Sequence, residues 1–146
     1  MFKVLLALHI LTAVFAIGPL VHAATTASRG LRLGDAAAIR TSARMCKIYS
    51  AASVVVVILG FGLMSATSPY THEKVADVGD VWIWLSLLLW LVAAGLAFLV
   101  VVPALDKAAE NTEAARSMVG RVAAAGGIVG ILFAVIVFLM VYRPGS

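Results

Sequence analysis

Four long apolar runs separated by three short polar connectors set the pattern of the chain. Val4–Ser28, Ile48–His72, Val81–Leu105 and Val122–Tyr142 contain no Asp, Glu, Lys or Arg, the second being apolar only as far as Ala66. A helix rising about 1.5 Å per residue needs about 20 residues to cross a hydrocarbon layer of roughly 30 Å, and each run supplies them. None of the runs shows the polar–apolar alternation of barrel strands. The pattern therefore predicts an all-α polytopic membrane protein with a single domain over residues 1–146. Its four transmembrane helices form a bundle, with spans at about 2–24, 48–66, 81–105 and 122–142.

Local signals refine each element. In the first span Pro19 lacks a backbone donor and frees the carbonyl of Phe15, which predicts a kink in helix 1. The stretch "ATTASRGLRLG" reads as a loop, after which Asp35 can cap a helix starting at Ala36 with no breaker before Gly60. Trp82, Trp84 and Tyr70 suit an outer aromatic belt, as does Tyr142, while Trp90 lies about 12 Å deeper than Trp82 and is expected to pack between helices. Pro103 marks a place where the third helix can stop. Lys107 with Glu110, and Glu113 with Arg116, are spaced for pairing on short solvated helical ends.

Composition agrees with the pattern: 63% of residues are hydrophobic and 12% charged, against about 25% charged in ordinary soluble domains. Charge then orients the chain. The first connector carries Arg29, Arg32, Arg40, Arg44 and Lys47 against Asp35, and the third carries Lys107, Arg116 and Arg121. Placing both in the cytoplasm puts eight basic residues inside and leaves Lys3, Lys74 and Arg143 outside, the arrangement the positive-inside bias favours. Both termini are expected outside a bacterial plasma membrane. Lys3, the apolar core and Val21-His22-Ala23 also resemble a secretory leader. The core runs to the long end of the leader range and the chain carries it from Met1, so this span is expected to be retained.

Candidate functional groups are few. Arg40, Arg44 and Lys47 fall at helical spacing as a basic stripe, expected to meet anionic lipid at the cytoplasmic face, with a docked protein as the alternative. Gly126 and Gly130 form a GxxxG pair beside Ala123 and Gly127, a small-residue face for packing within the bundle or against another integral membrane subunit. The spans hold no carboxylate, lysine or arginine away from their ends, which argues against a hydrolase or a lone proton-coupled transporter. His9 and His22 stand about 20 Å apart along one helix and cannot share a metal or haem. A haem on His9 would need an axial partner such as Met64 or Met140. His9 is expected to hydrogen-bond a neighbouring helix, and His22 to lie at the cytoplasmic interface. Cys46 is the single cysteine, so no intrachain disulfide forms. No phosphate loop, nucleophile elbow or CxxC is present, and nothing points to nucleic acid.

The first span, "KVLLALHILTAVFAIGP", with Leu8-His9, Ala13 and Gly18, resembles that of a bacterial family of predicted integral membrane proteins of unknown function. The Trp-Gly-Gly version of this pattern, known from copper-resistance membrane proteins, is absent. The layout also looks like the small four-helix accessory subunits of actinobacterial respiratory oxidase supercomplexes. The resemblance implies a non-catalytic accessory or assembly subunit of a larger membrane complex, a respiratory complex of cytochrome oxidase type first, with no enzyme activity and no cofactor. The rival expectations are a small haem-binding redox protein using His9 and a small-molecule carrier.

Overall fold

In hydrocarbon a backbone polar group has no water to bond, so apolar runs of this length resolve into helices. The computed structural model describes residues 1–145 and contains four rods long and apolar enough to span a membrane, with no named strand among the described residues. Helices α1 (Phe2–Leu33) and α2 (Ala36–Met64) are the first two rods. The third comprises α3 (Val81–Leu96), a π-helical segment (Ala97–Val101) and α4 (Val102–Glu110), and α5 (Ala115–Tyr142) is the fourth.

The first connector is far shorter than the sequence reading expected. Residues of "ATTASRGLRLG" continue α1 as helix as far as Leu33. Nothing in the stretch before Gly34 breaks a helix, and Ala, Leu and Arg favour one. Thr25 and Thr26 donate their hydroxyls back to the carbonyls of Val21 and His22 at 2.7 and 2.6 Å, while Ala23, Ala24, Ala27 and Leu31 are buried in the bundle. Gly34 then reverses the chain in the left-handed region, φ 63°, where a side chain costs energy. The N–H groups of Gly34 and Asp35 bond Leu31 O and Gly30 O, closing a Schellman end. Asp35 Oδ1 accepts from Ala37 N and Ala38 N at 3.1 and 3.3 Å, the cap the sequence announced.

The third rod also runs past its expected stop. Pro103 lies at the start of α4, and helix continues to Glu110. A proline ring in an α-helix collides with the carbonyl four residues back. Here the preceding turn is widened, with Val102 N–H bonding Ala97 O, and a wider turn relieves that collision. Helix α1 likewise continues through Pro19 without interruption. At 32 and 30 residues, the first and third rods extend to about 45–48 Å, well beyond the hydrocarbon layer.

Packing is uneven along the bundle. Helix α1 lies against α2 and α5, α3 rests on α5 and barely approaches α2, and α4 rests chiefly on α2. The third rod therefore crosses from one neighbour to the other, with its π turn at the crossing. The main core gathers Leu20, Leu31, Ile39, Val101, Leu105 and Val122 toward the end carrying the first and third connectors. No residue of α1 before Ala16 is buried. The opposite end is closed by the α2–α3 loop: Lys3 lies over the Tyr70 ring, Arg143 over Trp82, and Trp84 Nε1 donates to Val78 O at 2.7 Å.

The tight Gly34–Asp35 turn gives a direct test. Asp35→Ala removes an acceptor for two end-of-helix N–H groups and should cost about 1 kcal/mol of stability, read as a lower thermal midpoint in detergent. An unchanged midpoint would show that the cap contributes nothing to the hairpin.

Candidate functional site

Lipid gives no hydrophobic drive for helix association, so close approach of backbones must supply the packing. Gly126 is where this happens. A Cβ built there would overlap the carbonyl of Ala24 and stand 3.3 Å from Thr25 Cα. A Cβ at Gly130 would lie 3.4 Å from Thr25 Cγ2 and 3.8 Å from Val21 Cγ1. The two GxxxG glycines therefore pack within the bundle, against α1. Ala123 is half-buried, whereas Gly127 is exposed and has open space where a side chain would go. The small-residue face divides into an inward pair and an outward position.

His9 is half-buried on α1, and its Nδ1 lies 3.0 Å from Val56 O. A carbonyl only accepts, so Nδ1 carries the proton and donates. Gly60, one turn from Val56, makes room for the ring: a Cβ there would be 3.2 Å from His9 Cε1. His9 is thus a pin between α1 and α2 where few side chains are buried. Trp90 plays the same part between α3 and α2, donating Nε1–H to Ser53 Oγ at 3.0 Å, and Ser53 donates to Ser50 O at 2.7 Å. Ser53 is fully buried. The Oγ atoms of Ser50 and Ser86 and Nε1 of Trp82 are buried without a partner. The sequence placed Trp90 between helices but gave no signal for Ser53, which looks like any small residue in an apolar run.

Of the basic stripe, Arg40 and Arg44 are exposed, and Lys47 is held 3.0 Å from Asp106 Oδ2 on α4. That is the one ion pair among the described residues; Lys107 with Glu110 and Glu113 with Arg116 do not pair. Cys46 beside it is fully buried, facing the core rather than solvent. His22 is exposed on α1, about 10 Å short of Arg29 along the axis, and its ring makes no hydrogen bond among the described residues. His72 is exposed in the α2–α3 loop with φ 57°, and no group of three metal-ligating side chains forms among the described residues.

Four rods long and apolar enough to span a membrane give the chain the layout of a polytopic membrane protein. The family described as Predicted integral membrane protein (DUF2269) matches residues 3–144. The chain belongs to that family. Its match extends from the first helix to the end of α5, so the four-rod layout is that of the DUF2269 family match as a whole. No curated protein and no solved structure matches the chain.

The division of the glycine face is testable. Gly126→Ala forces α1 and α5 apart and should cost about 1–3 kcal/mol, lowering the thermal midpoint in detergent. Gly127→Ala, facing open space, should leave it unchanged. Equal midpoints for the two variants would refute the Ala24–Gly126 contact.

Proposed function

We propose that this DUF2269 protein is a non-catalytic accessory or assembly subunit of a larger membrane complex, and that the complex is a respiratory one of cytochrome oxidase type in a bacterial plasma membrane. The observation that carries the accessory reading is His22. An imidazole close to the cytoplasmic interface, exposed on a spanning helix and without a hydrogen-bond partner among the described residues, is free to bond a polar group on another helix. His22 stands one turn from Thr25, whose Cγ2 would lie 3.4 Å from a Cβ at Gly130 on α5, and Gly127, one turn before Gly130, faces open space. A second helix laid there finds small residues to approach and an imidazole to bond. The respiratory assignment is the finer part, supported by the likeness in layout to oxidase accessory subunits.

A second reading, haem binding through His9, draws on one feature of the site. Donation from Nδ1 to Val56 O leaves Nε2 as the unprotonated ring nitrogen, the arrangement that metal-bound histidines share. A visible spectrum of the purified chain separates the two: a Soret band lost in His9→Ala supports the haem reading and overturns the accessory one.

The accessory reading predicts that Gly127→Leu reaches the membrane at normal abundance yet loses the partners that accompany the native chain in gentle detergent, while its thermal midpoint holds. Co-purification of the variant with the same partners would sink it. The orientation, with both termini outside, is tested by Thr71→Cys, exposed in the α2–α3 loop. It should react with an impermeant maleimide in intact cells, whereas buried Cys46 should react only after denaturation. Labelling of Thr71→Cys only in opened cells would invert the topology.

A further inference from the structure

We propose that the groove between the third rod and α5, beside the π turn, is a binding site for an anionic phospholipid. The cavity there has a volume of about 370 Å³ and is lined by Leu99, Val100, Pro103, Ala104, Met118 and the two cations Lys107 and Arg121. Its two charged residues are both cations, and its other walls are apolar. Each cation stands where its rod leaves the hydrocarbon: Lys107 two residues beyond the uncharged run that ends at Leu105, Arg121 immediately before the run that begins at Val122. Neither has an ion pair among the described residues, because Asp106, the nearest acid in sequence to Lys107, is held by Lys47 on α2. Glu110 is exposed and outside the lining.

This combination matches one ligand chemistry, a phosphodiester carried on an acyl chain. The phosphate sits between the Lys107 ammonium and the Arg121 guanidinium, groups that bind phosphate as a point charge and as a fork. The chain descends along Pro103, Val100 and Leu99, the last 72% exposed and so already facing hydrocarbon, while Met118 walls the headgroup end. The cavity lies within the size range of small-molecule sites, ample for a headgroup phosphate and the start of a chain. The site rests on the groove alone and is independent of the accessory reading.

The full chain in detergent is titrated with phosphatidylglycerol, phosphatidylcholine and inorganic phosphate, and bound lipid is counted by native mass spectrometry. Phosphatidylglycerol should bind, and the other two should not at the same concentrations. Lys107→Gln with Arg121→Gln should weaken phosphatidylglycerol by about tenfold or more, the effect of two cations at a lipid surface. Arg29→Gln with Arg32→Gln removes the same charge from the exposed surface of α1, outside both the groove and the basic stripe, and should change binding much less. Met118→Trp, which fills the groove and keeps both charges, should also weaken binding. Equal losses in the two double variants, equal binding of phosphatidylcholine, binding of free phosphate, or full binding by Met118→Trp would each overturn the site.

Discussion

The approach of α5 to the backbone of α1 at Ala24 and Gly126 is the contact on which the rest of the bundle depends. Apolar side chains gain nothing from leaving lipid for one another, so these helices hold together through contact area and shape. Backbones meet only where no side chain intervenes. Ala23, Ala24, Ala27 and Gly30 provide that opening along α1, and Gly126 provides it on α5. Gly30 repeats the device against α2, where a Cβ would lie 3.4 Å from Ala38 Cβ. One strip of small residues on α1 thus serves two neighbours at once, and it exists only because α1 stays helical beyond Ala24. A loop there would have removed the part of the strip formed by Ala27 and Gly30.

The other end of the bundle is held by different means. Before Ala16 the first helix buries nothing, and α3 keeps its distance from α2. Polar bonds span what packing does not: His9 to Val56 O, and Trp90 to Ser53. Such bonds in membranes contribute only about 0.6 kcal/mol each on average, so this end is held by a few directional links rather than by a broad contact. The π turn is the geometric counterpart. It lets the third rod pass from α5 to α2 and accommodates Pro103 in the same step, so the proline marks a change of direction instead of an end.

The parts of this fold that were legible from sequence are those set by solvent. An uncharged run of sufficient length has one outcome in hydrocarbon, and Asp35 before three alanines has one obvious role. The parts that were not legible depend on tertiary contact. Thr25 and Thr26 look like loop residues in one dimension, yet their hydroxyls are satisfied within a helix turn, and the buried alanines around them decide the outcome. Pro103 gives a stop signal that a single widened turn cancels. In the candidate sites, the glycine face was visible as a pattern, but its division into inward Gly126 and outward Gly127 required the position of α1. His9 was visible as a polar group in need of a partner, but Val56 O and the space at Gly60 were not.

Charge on the connector end illustrates how placement adds to a count. A tally of basic residues orients the chain and treats each one alike. Yet Asp106 and Lys107, neighbours in sequence, leave α4 about 100° apart, and the helix crossing turns them to different partners. Asp106 meets Lys47 and neutralises it on the α2 side. Lys107 joins Arg121 and Met118 on the α5 side, where no acid lines the groove. The same crossing that steers the third rod between its neighbours therefore sorts the charge: a paired, closed contact on one flank and an unpaired cationic groove on the other. A uniform electrostatic anchor would need no such sorting. The arrangement instead gives the connector end two chemically distinct sides, one where a half-exposed ion pair links α2 to α4 and one where two cations share an apolar groove.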